Sequence, residues 1–289
     1  MVKALHVPAK ALKKILIVTP DYPSRNSYAY EFVHERAKLY KKYYNSNVYA
    51  LVPLSEKYRN HFQSYIYEGI KIFKTPINYV NELVENIDPD IIAYHSPQPN
   101  ILHRLISSKR PLVLWFHGAD VLVTFFHNYY IPFFKSSLVK GLISIPLDIK
   151  RNIQLRELIL KEKNIQVVTI SNWMKRMIIR YLALPSSESY RIHVIPNPVN
   201  TELFKQEKAC YDRKREIGIS VRSLNYKYGV DILVKALIGL NYVKLIIVGR
   251  GPLRNYLENM IKKYKVNVEI IERIPHEELP KYYNEVGFL

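Results

Sequence analysis

The segment Val248-Gly249-Arg250-Gly251-Pro252 has the residue types to hold a phosphate. It follows an apolar run and precedes a stretch with helical spacing. Glycines at such a junction let the backbone approach a ligand closely, and a helix start offers unpaired N–H groups and partial positive charge. Pro252 suits a first helical turn. Gly249 and Gly251 also fit the first two positions of a dinucleotide-binding pattern. Arg254 stands where its third glycine belongs, and Glu272 stands about where a ribose-binding acid would follow. A dinucleotide, another phosphorylated ligand and a plain tight turn all remain open.

Arg222 ends another apolar run, at the edge where open α/β sheets bind ligands. Lys227 follows in the same loop, before Tyr228-Gly229. Two cations there can clamp a diphosphate through charge-assisted hydrogen bonds and stabilise a negative leaving group as a glycosidic bond breaks. The alternative is a solvated basic loop. His117-Gly118-Ala119-Asp120 occupies the same kind of edge earlier in the chain, where His117 and Asp120 can meet a polar substrate or serve only the local structure. Ser171 is a natural helix N-cap, and Lys175 one turn later either reaches a phosphate or is solvated.

Other constellations fail. Asp88-Pro89-Asp90 lies between a helix end and a strand start, which makes it a turn rather than a metal pair. His34-Glu35 is followed by Lys38 where a zinc-protease motif needs its second histidine. No phosphate loop of the Walker type and no Gly-x-Ser-x-Gly elbow occurs, so zinc-protease, ATPase and serine-hydrolase chemistry drop out.

These residues need elements to position them. Apolar runs predict strands over 15–19, 48–52, 70–73, 91–95, 112–116, 167–170 and 193–195. Helical spacing covers 28–44, 80–86 and 173–182. Such alternation argues for a parallel sheet covered on both faces. Pro196-Asn197-Pro198 breaks the rhythm, and the boundary placed after Pro198 gives domains over 1–198 and 199–289. The pattern then restarts, with strands over 217–221, 244–248 and 266–271 and helices over 230–240, 253–264 and 277–284. Phe288-Leu289 would open a further strand. The expected class is α/β with two Rossmann-like domains, the second incomplete, which should leave apolar helix faces and a sheet edge exposed.

Leu122–Lys161 interrupts the alternation. It is aromatic first (Phe125, Phe126, Tyr129, Tyr130, Phe133, Phe134) and then basic (Lys135, Lys140, Lys150, Arg151, Arg156). It reads either as a membrane-facing or acceptor-gripping element or as a helix pair packed on the sheet.

The composition fits a folded chain: 48% hydrophobic and 24% charged over 289 residues. Lys+Arg is 43 against Asp+Glu 25, a net charge of +18. Such an excess favours nucleic acid, an anionic membrane face or phosphorylated ligands, and the nucleic-acid reading rests on charge alone. Cys210 is the sole cysteine, so no intramolecular disulfide forms, as suits a reducing compartment. No apolar run reaches the ~18 residues of a membrane span. The expectation is a cytoplasmic protein, soluble or peripheral on the inner membrane face.

In their order along the chain these segments resemble glycosyltransferase family 4, whose members have the GT-B fold. ILIVTPDYPS at Ile15–Ser24 and FVHERAKLY at Phe32–Tyr40 are similar to the first strand, loop and helix of one branch. HGAD at His117–Asp120 resembles the acceptor-side histidine segment, and ISNWMKR and VIPNPVNTELF resemble the end of the first domain. SVRSLNYKYGVDIL resembles the donor-phosphate loop, and IVGRGPL and RIPHEELPKYY resemble later donor-domain elements.

The resemblance implies a nucleotide-diphosphate sugar as donor, retaining and metal-independent transfer without a cofactor, and a glycan, lipid-linked or other hydroxyl acceptor. It makes Arg222 the phosphate-binding arginine and Gly249 and Gly251 the glycine turn. Ile274 falls where the family's backbone meets the nucleobase, and His117 matches the residue that touches the transferred sugar. Lys227 stands near the family's lysine, with Tyr228 intervening before Gly229. Asn26-Ser27 replace glycines common in the first loop. The paired-glutamate segment that holds donor hydroxyls is expected just after YYNEVGFL, beyond Leu289. A non-catalytic or split-gene fragment, binding nucleotide or membrane and paired with a complementing chain, is therefore the alternative.

Overall fold

The computed structural model describes residues 14–25, 27, 29–58, 61–123, 135–207 and 214–288, with side chains of 135–141 left aside. The aromatic half of the 122–161 segment, the substituted Asn26 and Cys210 lie outside the described residues. The chain divides into two compact units, the first over residues up to 124 with 143–199, the second built on 200–289.

The first unit is an eight-stranded sheet. Its strands are β1 (Lys14–Val18), β2 (Asn47–Leu54), β3 (Gln63–Tyr67), β4 (Ile70–Pro76), β5 (Ile91–His95), β6 (Leu112–Phe116), β7 (Ile165–Thr169) and β8 (Ile192–Val194). They lie in the order β3-β4-β2-β1-β5-β6-β7-β8. Every neighbouring pair is parallel except β3 with β4, which is antiparallel. The strand order reverses direction at β1, between β2 and β5, which is where open sheets place ligands beyond their carboxyl ends.

Both faces of this sheet are covered, so its central strands carry near-continuous apolar runs rather than alternating ones. In β1, Ile15 and Ile17 enter one core with Val33 and Ala37 of helix α1 (Glu31–Tyr44), while Leu16 and Val18 enter the other. That second core collects Val80, Val84 and Ile87 of α2 (Val80–Ile87) and Leu102 and Leu105 of α3 (Pro99–Ser107). It also takes Leu155 and Ile159 of α4 (Lys135–Lys161) and Met174 and Ile178 of α5 (Asn172–Tyr181). Pro99 opens α3, where its missing N–H costs nothing. Ser171 caps α5 by accepting the Met174 N–H at 3.1 Å.

Three details depart from the expected pattern. Strand β3 and helix α3 were not expected; β3 is an antiparallel edge strand whose side chains are mostly exposed, so it lacks the apolar run of its neighbours. The basic stretch of 122–161 belongs to α4, and Arg151 turns inward: it pairs with Asp148 at 2.9 Å and donates to the carbonyls of Ala119 and Leu122 at 3.3 and 3.2 Å. The same helix leaves Ile143, Leu147, Ile149 and Ile153 exposed. Among the described residues no helix is long and apolar enough to cross a membrane.

Arg191 is a core residue despite its charge, at 1% exposure. Its guanidinium donates to the carbonyls of Ile159, Glu162 and Ile165 and pairs with Glu188 at 2.7 Å, joining the end of α4 to the start of β7. The planar fork of donors makes this junction possible.

The second unit has four parallel strands, β9 (Lys214–Val221), β10 (Lys244–Val248), β11 (Val268–Ile271) and β12 (Val286–Phe288), in the order β11-β10-β9-β12. Direction reverses at β9. Leu245 and Ile247 face one core, with Val230 and Val234 of α6 (Val230–Lys235) and Leu257 and Met260 of α7 (Arg254–Tyr264). Ile219 and Val248 face the other, against Leu279, Tyr282 and Tyr283 of α8 (Leu279–Glu285). Helix α6 stops at Lys235, short of the expected 240, and Gly239 sits just beyond it at φ 84°.

Candidate active site

In the second unit, Arg222, Gly249 and Ile274 follow the carboxyl ends of β9, β10 and β11, three adjacent strands beside the point where strand order reverses. The loops after β9 and β10 are bonded to one another. The Arg222 N–H donates to the Val248 carbonyl at 3.0 Å, the Leu224 N–H to that of Arg250 at 2.9 Å, and the Leu253 N–H to that of Leu224 at 3.1 Å. The Gly249 N–H donates to the Ile271 carbonyl at 2.9 Å, tying in the third strand.

This contact explains the glycines. A Cβ on Gly249 would lie 1.9 Å from the Arg222 carbonyl oxygen, and one on Gly251 would lie 2.4 Å from that of Leu224. Their bare backbone is needed by the neighbouring loop, whether or not a ligand is present. Helix α7 begins only at Arg254, so Pro252 precedes it rather than opening its first turn. Arg250 pairs with Glu272 at 2.6 Å, which occupies the acid that a dinucleotide reading would give to a ribose.

Arg222 and Lys227 are exposed, and among the described residues neither has an acidic partner. Tyr228, the residue between Lys227 and Gly229, holds both cations near one ring: the Arg222 guanidinium lies 5.6 Å and the Lys227 ammonium 4.8 Å from its centroid. Gly229 follows at φ 64°, a left-handed turn into α6 that suits glycine. Ile274 is buried in the core beside Ile219 and Val248, so only its backbone is placed to meet a ligand.

In the first unit, His117 leaves the carboxyl end of β6 and Asp120 closes a tight turn beneath it. The Asp120 carboxylate accepts the backbone N–H of His117 at 2.8 Å and of Gly118 at 2.7 Å. Asn152 of α4 donates to the Val121 carbonyl at 2.8 Å, bracing the same turn with Arg151. Asp120 is 4% exposed, and its first task is to hold His117 in place.

The structure adds residues that sequence reasoning did not single out. His95, the last residue of β5, lies with its Nδ1 3.0 Å from His117 Nε2. The two rings are nearly parallel, 8° apart. Trp115 stacks on His95 at 5.3 Å, and the Arg36 guanidinium of α1 lies 3.7 Å over the Trp115 ring. Arg36 also donates to the Pro196 carbonyl and the Asn197 side chain. Four buried atoms in this group, His95 Nε2, His117 Nδ1, Trp115 Nε1 and Arg36 Nε, have no hydrogen-bond partner among the described residues. The one sequence signal for His95 is its place at a strand's carboxyl end. Lys175, in contrast, is spent on the carbonyls of Ser189 and Ile192 at 3.0 and 2.7 Å.

Burial, and then the Arg36 cation, push His117 down to about 4, and burial, then His117 and then Arg36, push His95 well below the ordinary histidine range. Below the usual imidazole value of ~6.5 the unfolded chain takes up protons that these folded rings refuse. Stability from this pair is therefore complete above that pH and is lost as pH falls toward about 4. Denaturant unfolding at a series of pH values is expected to show this decline. A flat profile between neutrality and pH ~4.5 would contradict neutral, buried rings.

Comparison with known proteins follows the same division of the chain. The family model for Glycosyltransferase Family 4 matches residues 14–203, and that for Glycosyl transferases group 1 matches residues 201–287. No curated protein sequence matches. Among solved structures, a glycosyltransferase from Rickettsia africae ESF-5 is 16% identical with TM-score 0.61, over 95% of this chain and 71% of that one. The catalytic domain of starch synthase IV from Arabidopsis thaliana, bound to ADP and acarbose, is 11% identical with TM-score 0.61, over 96% and 78%. An α,α-trehalose-phosphate synthase (UDP-forming) from Burkholderia vietnamiensis is 11% identical with TM-score 0.59, over 94% and 75%. At these identities the likeness is one of fold.

Proposed function

The chain belongs to Glycosyltransferase Family 4 and has the GT-B fold, and from that premise we propose that it transfers a sugar from a nucleotide-diphosphate donor to a glycan, lipid-linked or other hydroxyl acceptor, with retention and without a metal. The observation that carries this reading is the pair of bonded loops after β9 and β10. They bring Arg222 and Lys227, cations without acidic partners among the described residues, to the carboxyl edge of the second sheet where its strand order reverses. A diphosphate supplies the missing anion. As the bond between sugar and phosphate breaks, negative charge collects on the leaving diphosphate, and cations fixed there favour the transition state over the ground state. Ile274 offers backbone to the base, and in the first unit we assign a sugar contact to His117, held by Asp120.

The test is transfer from UDP-, GDP- and ADP-hexoses to an acceptor panel in EDTA, with the product's anomeric configuration read by NMR. The expected product keeps the donor's configuration. An inverted product, or turnover that EDTA abolishes and a divalent cation restores, would overturn the corresponding part of the proposal.

We also propose the inner membrane face as its setting, supported by the exposed apolar residues of α4 and the net charge of +18. Co-sedimentation with vesicles containing anionic phosphatidylglycerol should be strong and salt-sensitive, and equal binding to neutral vesicles would sink this idea.

A further inference from the structure

Two aromatic rings stand half in water at the outer edge of the first sheet. Phe62 leads into β3, and Tyr79 closes the short 3₁₀ turn Ile77–Tyr79 between β4 and α2. They are 55% and 41% exposed, and they meet edge to face with centroids 4.9 Å apart. Both line a groove of about 390 Å³ between α2 and the β3–β4 pair. Small-molecule sites usually span about 300–1,000 Å³.

The polar side chains of this groove are idle. Phe73 of β4 packs on the core that α2 enters, and strand alternation turns Thr75 to the same face. Ser64 lies opposite Phe73 in the antiparallel ladder and shares that face. On α2, Glu82 and Asn86 stand one turn apart and line the groove together with Leu83. Among the described residues no side-chain hydrogen bond or ion pair joins Ser64, Thr75, Glu82 or Asn86. Thr75 is only 5% exposed, and a buried hydroxyl without a partner is costly unless something bonds to it.

This chemistry selects a sugar. A pyranose ring has an apolar C–H face, which an aromatic plane covers, and a rim of hydroxyls. A carboxylate, an amide and two hydroxyls both accept from and donate to such a rim. Among the described residues no Lys or Arg lines the groove, although the chain carries +18. Lys71 approaches the Phe73 ring at 5.0 Å without being part of the lining. A phosphate therefore finds no cation to pair with, and a neutral ring finds what it needs.

The groove also lies on the right edge. Thr75 and Tyr79 stand at the carboxyl end of β4, as His117 stands at that of β6. Between β4 and β6 lie β2, β1 and β5, all parallel, so four strand spacings put the groove roughly 19 Å from His117. We propose that this groove binds one unit of a neutral oligosaccharide, several sugars away from the reacting end of the acceptor. The word acceptor rests on the transferase reading above. The sugar site does not.

The primary experiment is backbone amide chemical-shift mapping of the full chain with maltotetraose, cellotetraose, mannotetraose and chitotetraose up to millimolar concentration. At least one should bind, with the largest shifts at Ser64, Thr75, Tyr79, Glu82 and Asn86. Phe62→Ala and Glu82→Ala change exposed side chains, so the core stays intact, and each is expected to weaken that binding about tenfold, the equivalent of about 1.4 kcal/mol. No binding by any of the four overturns the proposal. So do shifts confined to the larger groove across α2, α3 and α4, at Asn100, His103 and Gln154, or folded variants that bind like wild type.

The kinetic arm separates this site from the transferase reading. With the bound tetrasaccharide as acceptor, Phe62→Ala should raise its KM about tenfold. Sugar binding in the groove without transfer from any donor supports the site and counts against the transferase. Transfer to a tetrasaccharide that never shifts the groove overturns the site and leaves the transferase standing.

Discussion

Arg222→Ala is expected to leave the second unit folded and to lower transfer about 10²- to 10³-fold. Stability should barely change, because the contact that builds the loop is the Arg222 backbone N–H to the Val248 carbonyl, which alanine keeps. The side chain is exposed, and exposed positions of this kind usually shift stability by no more than about 0.5 kcal/mol. What alanine removes is a guanidinium fork facing the site of the departing diphosphate, where charge-assisted bonds are the strong ones. Arg222→Lys keeps the charge but loses the planar pairing, and should fall between alanine and wild type. Lys227→Ala should cost less than Arg222→Ala, because its ammonium is a point charge on a flexible stem. Thermal unfolding with kcat/KM in the same preparations checks this. An Arg222→Ala enzyme that turns over normally would remove the diphosphate from this loop.

Gly249→Ala is expected to destabilise the second unit by about 3 kcal/mol or more, because its new methyl meets backbone rather than a movable side chain. The added Cβ would sit 1.9 Å from the Arg222 carbonyl oxygen, so the loops after β9 and β10 must separate. That separation breaks the bonds from Arg222 to Val248 and from Leu224 to Arg250, and it moves Arg222 away from the glycine turn. Loss of nucleotide binding and loss of stability should therefore appear together in this variant, whereas Arg222→Ala separates them. Gly251→Ala meets the Leu224 carbonyl at 2.4 Å and should behave the same way. Denaturant unfolding with a nucleotide titration is the check, and a Gly249→Ala protein of native stability would show that the loops are not welded.

The parts of the fold that were legible are those where a strand is buried on both faces. Runs such as Ile15–Val18 and Leu112–Phe116 have no polar interruption because sheet and helices leave little of them wet, Val113 alone being half-buried. Strand β3 escaped for the opposite reason. It lies at the edge, antiparallel, with Gln63, Ser64 and Ile66 exposed, and its sequence carries no burial signal. Arg191 reads as one more basic surface residue in a chain of +18. Only the carbonyls gathered from α4, Glu162 and β7 make it a core residue, and those lie 26 to 32 positions away.

The candidate site divides the same way. Glycines after a strand are visible as a turn, so Gly249 and Gly251 could be named, but their steric reason is a neighbouring loop more than twenty residues upstream. Tyr228 reads as an interruption before Gly229, yet its ring is what both cations approach. His95 ends an apolar run and looks like part of the strand. Its partner is 22 residues on, in the next strand's loop, and the pairing follows from β5 lying beside β6.

The measurement that tests the central claim most directly is backbone amide chemical-shift mapping during titration with UDP, GDP and ADP. At least one nucleotide should bind, with the largest shifts at Gly249, Gly251 and Arg222 and the neighbouring Ser223 and Leu224. Shifts confined to other surfaces, or no binding by any of the three, would contradict a diphosphate site on the loops after β9 and β10.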